Sequence, residues 1–300
     1  MAGYPVRGAD PGVRVIRKDF DLQGHRGARG LVPENTLPAF RRAIELGVTT
    51  LELDVVISAD NEVVVSHDPW FSSKFCSNPD GSPVTDEEER SLTIYSMTYD
   101  EIARFDCGSR RHVDFPEQQV QPAVKPLLRD VIVMAEEMTV TLEREPVRYN
   151  IETKSRRGWE GDLHPEPSVF AGLLYAVLEE QHVLGRSTIQ SFDGRTLRAA
   201  RRINPAWNTS LLVSRWSARF ISLNLKRLGF VPQIYSPDHR SLSTRLVRSA
   251  HRRGMLVIPW TTNTDADISR AVRLGVDGII TDYPDRARRL LEQFLVPGEA

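Results

Sequence analysis

The chain has 300 residues, 40% of them hydrophobic and 26% charged, which is the composition of an ordinary globular protein. With 39 Lys and Arg against 40 Asp and Glu its formal net charge is −1, so no global basic field is present to recruit nucleic acid or an anionic membrane. The sequence contains no run of about 18 apolar residues, so we expect no membrane-spanning helix.

The first 18 residues carry Gly, Pro and Arg with little periodicity, and we interpret residues 1–18 as an N-terminal arm. They lack the apolar core of a signal peptide. We therefore expect a cytoplasmic protein, or a periplasmic or secreted one if the N-terminus was trimmed.

From Asp19 onward, short apolar runs alternate with amphipathic stretches. The apolar runs are predicted to be buried parallel strands: Phe20–Gly24, Thr50–Val56, Tyr149–Lys154, Ser187–Phe192, Asn208–Val213, Gln233–Ser236, Met255–Trp260 and Gly278–Thr281. The amphipathic stretches are predicted to be helices: Leu37–Leu46, Pro126–Thr141, Pro167–Gln181, Asp193–Ile203, Ala218–Leu228, Ser241–Arg252, Asp265–Leu274 and Tyr283–Phe294. Eight strands alternating with eight helices predict an α/β fold, a (β/α)8 TIM barrel formed by residues 19–300 as a single catalytic domain. Glycines just past five of the helices are expected in the left-handed conformation: Gly47, Gly185, Gly229, Gly254 and Gly275.

One stretch after the second strand interrupts this alternation. Residues 69–125 are rich in Pro, Ser, Asp and Arg, with only a short helix expected at Thr98–Phe105. Because a structureless loop of this length is uncommon in a compact domain, we interpret it as a small inserted subdomain that caps one mouth of the barrel.

The two cysteines, Cys76 and Cys107, both lie in this inserted stretch. A single disulfide is possible, but we expect reduced thiols because no signal peptide is seen. Neither cysteine has the spacing of a zinc–thiolate site.

Carboxylates mark the ends of two predicted strands. Glu52 and Asp54 are two residues apart on one strand and therefore point to the same side. Glu152 and Lys154 repeat this spacing on the next strand. A hard divalent cation, Mg²⁺ or Ca²⁺, would satisfy the three carboxylates, with Lys154 as a fixed positive charge. The alternative is that the acids pair with Arg or Lys and only close the end of the barrel.

Two histidines lie near the same predicted mouth. His25 ends the first strand, and Arg26 beside it has the forked guanidinium that grips phosphate oxygens. His67 follows a predicted strand extension over Glu62–Ser66. Two imidazoles at one mouth predict a general acid and a general base. Asp68 is expected either to orient His67 or to begin a turn.

Weaker candidates follow the remaining strands. Gln190 is expected to bind substrate or to hydrogen-bond within the barrel, and Trp260 to line the substrate pocket or to pack. Asp282 is expected to be a helix N-cap rather than a ligand. Glu34 and Asn35 are expected to hold the loop after the first strand through hydrogen bonds.

These residues resemble those of the glycerophosphodiester phosphodiesterases over about Phe20 to Leu295. The motifs that carry the resemblance are H-R-G-x-x-x-x-x-P-E-N-T at 25–36, E-L-D-V at 52–55, H-D at 67–68, I-E-T-K at 151–154, W-T-x-N at 260–263 and G-I-I-T-D-Y-P at 278–284. The resemblance implies metal-dependent hydrolysis of a small glycerophosphodiester to an alcohol and glycerol 3-phosphate. It implies these roles: one Mg²⁺ or Ca²⁺ held by Glu52, Asp54 and Glu152, acid/base catalysis by His25 and His67, and phosphate binding by Arg26 and Lys154.

Two other functions remain open at this stage. Phospholipase D-type toxins, which act on lysophospholipids or sphingomyelin, look like relatives, and Trp70 and Phe71 beside His67 are candidate aromatics for a lipid substrate. A non-catalytic barrel that binds a phosphate ligand is the second alternative. We expect no nucleic-acid partner, because we see no basic patch interleaved with aromatics. The oligomeric state is left open.

Overall fold

Parallel strands form the centre of the molecule. The computed structural model describes residues 19–294. Its strands are β1 (Asp21–His25), β2 (Thr50–Ile57), β3 (Val63–Val65), β4 (Arg148–Thr153), β5 (Ser187–Ser191), β6 (Asn208–Val213), β7 (Ile234–Pro237), β8 (Leu256–Val257) and β9 (Gly278–Thr281). The eight parallel strands lie in the order β8-β7-β6-β5-β4-β2-β1-β9, and β3 pairs antiparallel with β2. The predicted TIM barrel is confirmed.

The barrel is nearly closed where β8 meets β9. The backbone amide of Asp277 donates to the carbonyl of Val257 at 2.9 Å, and the backbone amide of Ile280 donates to the carbonyl of Pro259 at 3.0 Å. These bonds join β8 to β9, and β9 in turn pairs with β1, so that the last strand is a neighbour of the first.

Helices cover the outside of the barrel and part of the inserted stretch. They are α1 (Leu37–Glu45), α2 (Asp86–Glu89), α3 (Tyr99–Ile102), α4 (Leu128–Thr141), α5 (Pro167–Glu180), α6 (Gly194–Ile203), α7 (Ile221–Leu228), α8 (Thr244–His251), α9 (Asp265–Leu274) and α10 (Pro284–Leu291). No helix within residues 19–294 is long and apolar enough to cross a membrane.

The strand register places the chemistry-bearing residues side by side. His25 lies opposite Glu52 across β1–β2, Asp54 opposite Glu152 across β2–β4, and Glu152 opposite Gln190 across β4–β5. Because parallel strands end at the same edge, these side chains gather at the carboxyl end of the barrel, where TIM-barrel active sites form.

A tight turn after β1 brings α1 close to this edge. Gly27 has φ +85°, and a Cβ there would lie 2.6 Å from the carbonyl carbon of Ala39, so only glycine fits. Arg26 before it also has a positive φ, 51°. Thr36 caps α1 by accepting a hydrogen bond from the amide of Ala39, as its position predicts.

Some predicted details need correction. A strand does lie at the extension predicted over Glu62–Ser66, but it is β3 (Val63–Val65), a separate strand that turns back antiparallel to β2. Gly185 is not left-handed; His182 takes that conformation after α5, with φ 57°. The other four glycines past helices have positive φ as predicted. The N-terminal arm predicted at residues 1–18 lies outside the described residues.

The stretch between β3 and α4 has a small core of its own. Phe71, Ile94 and Ile102 are fully buried in it, together with Cys76 and Cys107. The two cysteines form a disulfide, so the expectation of reduced thiols is corrected. Disulfides persist mainly in oxidising compartments, and this pairing therefore does not favour the cytoplasmic location expected from the sequence.

Candidate active site

Three carboxylates from β2 and β4 converge at the carboxyl end of the barrel. Glu52, Asp54 and Glu152 each offer an oxygen, and these atoms lie within 4.8 Å of one another. Glu52 and Asp54 are almost inaccessible, and Glu152 is 9% exposed. The sequence-based expectation that these residues meet is confirmed by this geometry.

The electrostatics of this cluster favour a bound cation. Burial, together with the charges of Asp54 and Glu152, raises the pKa of Glu52 well above its ordinary value. Burial also raises the pKa of Glu152. Burial opposes ionisation of Asp54 as well, but Lys154 and Arg26 outweigh it and hold the pKa of Asp54 well below its usual range. A site of three hard oxygen donors that repel one another fits a divalent cation such as Mg²⁺ or Ca²⁺.

His25 is held at the cluster by an aspartate from the opposite end of the sequence. Its Nδ1 lies 2.5 Å from Oδ1 of Asp282, and its Nε2 lies 4.0 Å from Oε2 of Glu52. Asp282 therefore orients His25 and is not a helix N-cap; the cap position of α10 is Tyr283, which caps without its side chain. Burial lowers the pKa of His25, although the charge of Asp282 and the hydrogen bond to it raise that pKa.

His67 faces the same region from the segment after β3. Its Nδ1 lies 2.8 Å from Oδ1 of Asp68, which confirms the orienting alternative for that aspartate. Burial and the charge of Arg26 lower the pKa of His67. Lys125 lies behind this pair, and its ammonium donates to Oγ of Ser66 at 2.8 Å. Burial lowers the pKa of Lys125 to about 8.

Arg26 is buried among carboxylates. Its Nη1 donates to Oε1 of Glu34 at 2.6 Å, and its Nε lies 3.2 Å from Oδ2 of Asp54. Arg29 pairs with the other oxygen of Glu34. The amide of Asn35 donates to Oδ2 of Asp54 at 2.9 Å. Glu34 and Asn35 thus hold the loop through hydrogen bonds, as predicted.

Lys154 and Gln190 contact the carboxylates directly. The ammonium of Lys154 lies 2.9 Å from Oε1 of Glu152 and 3.5 Å from Oδ1 of Asp54. The amide of Gln190 donates to Oε1 of Glu52 at 2.6 Å and accepts from Asn150 at 3.2 Å. Because Gln190 is only 1% exposed, the hydrogen bond within the barrel is the alternative that the structure favours for it.

Aromatic side chains line one part of the mouth. Trp260 is partly exposed, and its ring meets the ring of Phe192 edge-on at 5.5 Å. Its indole nitrogen donates to the carbonyl of Ser236 at 3.0 Å, which fixes the ring. Trp70 and Phe71, by contrast, are buried, and Phe71 belongs to the core of the inserted stretch, so neither is available to face a membrane.

Sequence reasoning missed the roles of Asp282 and Lys125. Asp282 follows the last strand, and closure of the barrel places that strand beside β1. The proximity of Asp282 to His25 could have been expected from the predicted eight-stranded barrel, because the first and last strands of a closed barrel are neighbours. Lys125 is different, since its position depends on how residues 69–125 fold, and that stretch shows no periodicity.

Comparison with known proteins identifies similar chains. A family model described as the glycerophosphoryl diester phosphodiesterase family matches residues 25–286. The glycerophosphodiester phosphodiesterase of Bacillus subtilis is 27% identical over 292 residues, which cover 94% of this chain and 89% of the relative. The lysophospholipase D GDPD3 of Homo sapiens is 24% identical, over 90% of this chain and 85% of the relative. A crystal structure of a candidate glycerophosphoryl diester phosphodiesterase from Silicibacter pomeroyi has a TM-score of 0.82 and 30% identity, and covers 95% of this chain and 96% of its own.

Proposed function

The chain belongs to the glycerophosphoryl diester phosphodiesterase family, and from this premise we propose that it hydrolyses glycerophosphodiesters to an alcohol and sn-glycerol 3-phosphate. The observation that carries the proposal is the convergence of three carboxylates and two aspartate-bound histidines at one mouth of the barrel. We further propose that residues 19–300 act as one catalytic domain, with the insertion at about 69–125 as its cap.

Glu52, Asp54 and Glu152 are the residues that would hold the divalent cation, Mg²⁺ or Ca²⁺. When bound, the cation supplies Lewis-acid polarisation of the phosphoryl oxygens. Gln190 keeps Oε1 of Glu52 in place through its 2.6 Å hydrogen bond. The lowered pKa of Asp54 keeps that carboxylate ionised, which favours cation binding.

His25 and His67 are the general acid and general base in this proposal. Each imidazole has its Nδ1 against an aspartate, so the Nε2 atom is the one free to take up or release a proton. One histidine removes the proton of the attacking hydroxyl at Nε2. The other delivers a proton from its Nε2 to the departing alcohol.

Lys154 and Arg26 provide the positive charge near the phosphoryl group. Lys154 is partly accessible at the mouth, whereas Arg26 is 8% exposed and engaged by Glu34 and Asp54. We propose that Lys154 contacts the phosphate oxygens and that Arg26 acts on the phosphoryl group mainly through the electrostatic field of its positive charge. Charge developing on the phosphoryl oxygens is stabilised best by such preorganised groups.

Two reaction routes use the same residues. In the first, a hydroxyl of the glycerol moiety attacks phosphorus, the alcohol leaves, and water then opens the cyclic phosphate with the two histidines in exchanged roles. In the second, water attacks directly. Detection of a cyclic glycerophosphate during turnover distinguishes the first route from the second.

The test is release of sn-glycerol 3-phosphate from a panel of glycerophosphodiesters, with Mg²⁺ and Ca²⁺ in parallel. His25→Ala and His67→Ala are each expected to lower kcat by about 10²- to 10⁴-fold, because each removes one proton-transfer group. His251→Ala is the matched control, since His251 also pairs with an aspartate, Asp277, but at the amino end of β9. Wild-type turnover in either site variant would remove that histidine from the mechanism.

A lysophospholipid substrate is the second candidate. The ring of Phe192 is 49% exposed and continues the wall formed by Trp260, which gives an apolar surface beside the phosphate site. The relative GDPD3 is named a lysophospholipase D. If this candidate is right, Phe192→Ala will raise KM for lysophosphatidylcholine and leave KM for glycerophosphocholine unchanged; equal effects on both would exclude an acyl-chain contact there.

A further inference from the structure

Charge is distributed very unevenly along this chain. Residues 194–264 contain 13 Lys and Arg but only one acidic residue, Asp238. The rest of the chain carries 26 Lys and Arg against 39 Asp and Glu. The net charge of −1 therefore conceals a strongly basic part of the molecule, built from α6, α7, α8 and the loops between them.

The loop between β6 and α7 exposes aromatic rings next to arginines. It has the sequence S-R-W-S-A-R-F over residues 214–220. Trp216 is 79% exposed and Phe220 47% exposed. The guanidinium of Arg215 lies 5.6 Å from the Trp216 ring centroid, and that of Arg219 lies 4.7 Å from the Phe220 ring centroid. The expectation that the chain has no basic patch interleaved with aromatics is wrong at this loop.

A basic groove continues from this loop between α7 and α8. It has a volume of about 720 Å³. Leu223, which is 44% exposed, lies in it, and its charged lining consists of Arg219, Arg245, Arg252 and Arg253. No carboxylate of residues 19–294 lies within ion-pairing distance of these four guanidinium groups, so their charge is not neutralised locally.

We propose that this basic aromatic face, defined by loop 214–220 and the groove between α7 and α8, docks on an anionic phospholipid bilayer. Exposed tryptophan and phenylalanine rings insert at the level of the lipid head groups, and arginines beside them bind lipid phosphates. Each Lys or Arg near an anionic surface adds to the attraction.

The details of the face favour a bilayer over a nucleic acid. Nucleic-acid sites of this kind need open aromatic faces on which bases stack. Here guanidinium groups already lie over the rings of Trp216 and Phe220. The aliphatic side chain of Leu223 adds apolar surface that a lipid interface accepts and a base stack does not use.

Docking in this manner has a consequence for the barrel. Loop 214–220 follows the carboxyl end of β6, the end at which the carboxylate cluster lies. The mouth of the barrel therefore comes close to the membrane surface when the loop inserts. This inference concerns binding alone and does not depend on the proposed catalytic function.

The test is sedimentation of the full chain with two kinds of vesicle, one of phosphatidylcholine alone and one of equal parts phosphatidylcholine and phosphatidylglycerol. We expect binding to the anionic vesicles only, weakened by added salt because exposed charges are screened. The double variant Arg215→Glu/Arg219→Glu is expected to lower the partition coefficient by about tenfold or more. Trp216→Ala is expected to abolish the blue shift of tryptophan emission that vesicles induce.

The matched control is Arg41→Glu on α1, an exposed arginine on the other side of the barrel, which should bind vesicles like the wild type. Circular dichroism and urea denaturation show whether the loop variants remain folded. Equal binding to neutral and anionic vesicles, or undiminished binding by Arg215→Glu/Arg219→Glu, would overturn the proposal. Binding of a single-stranded oligonucleotide without any vesicle binding would also overturn it, in favour of a nucleic-acid site.

Discussion

Two histidines at the barrel mouth each direct Nδ1 at an aspartate, His25 at Asp282 and His67 at Asp68. Such a hydrogen bond fixes both the tautomer and the orientation of the ring, and leaves Nε2 as the reactive nitrogen. The two aspartates are positioning residues, because each contacts an imidazole at Nδ1; Asp282 is itself held by Asn263, whose side-chain amide donates to Oδ2 of Asp282 at 2.6 Å.

Asp282→Asn tests the positioning of His25. An amide in place of the carboxylate can present its NH2 group to Nδ1 and thereby stabilise the wrong tautomer. We expect kcat for glycerophosphocholine to fall about 10- to 100-fold, with KM changed little. Steady-state kinetics measure both parameters.

Asp277→Asn is the matched control for this change, because Asp277 accepts a hydrogen bond from His251 away from the carboxylate cluster. Its kcat should stay near that of the wild type. If Asp282→Asn alters KM alone, or if both variants lose the same activity, Asp282 does not act through His25.

The fold lowers the pKa of the buried Lys125 from its ordinary value of 10.5 to about 8. Burial is the main cause; Arg26 adds to it, and Asp68 and Glu34 oppose it. Because the unfolded chain binds this proton more tightly than the folded chain does, burial costs stability below pH 8, and the cost is relieved as pH rises towards 10.5.

The free energy of unfolding tests this assignment. The free energy of unfolding of the wild type, relative to that of Lys125→Met, should rise by up to about 3 kcal/mol between pH 8 and pH 10.5. The wild type gains stability in this range because its folded form has already lost the proton, whereas the variant has no group to titrate. Urea denaturation at several pH values measures it. Lys74→Met, an exposed lysine of the same inserted stretch, is the control. Parallel pH profiles for Lys125→Met and the wild type would contradict the buried charge.

The site could be predicted from sequence where a strand carried the residue. Glu52 and Asp54 share one strand, so their common direction follows from the two-residue repeat alone. The partners of Arg26 and Gln190 could not be predicted in this way. Both pair with carboxylates, and those pairings depend on the final depth of each side chain in the barrel.

At the level of elements, the inserted stretch is held together by its own small core and by the Cys76–Cys107 disulfide. The two cysteines are 31 residues apart in sequence. A crosslink that closes a loop of this length restricts the unfolded chain and stabilises the folded one by about 3 to 4 kcal/mol.

Reduction of this disulfide should therefore destabilise the protein. We expect the free energy of unfolding of the wild type to fall by about 3 kcal/mol in excess reductant, measured by urea denaturation. The free energy of unfolding of the variant Cys76→Ser/Cys107→Ser should not change when reductant is added. A wild type that is equally stable with and without reductant would show that the bond does not contribute to stability.

Elements of the barrel were easier to predict than elements of the inserted stretch. Each barrel strand is a short apolar run next to an amphipathic helix, so the apolar run identifies the strand and the helical repeat identifies the helix beside it. The helices α2 and α3 have only four residues each, too few for a periodic pattern; a helix was expected at α3, over the longer range Thr98–Phe105, but none at α2. Capping boxes at Thr85 and Thr98 were the available sequence evidence for them.

At the scale of the whole molecule, the carboxylate cluster and the basic face lie in different sequence regions, and the barrel brings the cluster and loop 214–220 of that face to its carboxyl end. A net charge near zero gave no indication of either feature, because acidic and basic segments cancel in the total. Function in this fold depends on which strand ends lie next to one another, and the amino-acid composition gives no information about that.

The most direct test of the central claim is a metal titration of turnover. Protein stripped of metal by EDTA is assayed for sn-glycerol 3-phosphate release from glycerophosphocholine while Mg²⁺ or Ca²⁺ is added. The three-carboxylate site predicts that the stripped protein is inactive and that one of these cations restores turnover saturably, with Glu152→Gln requiring a higher concentration. Full turnover by the stripped protein would contradict the account.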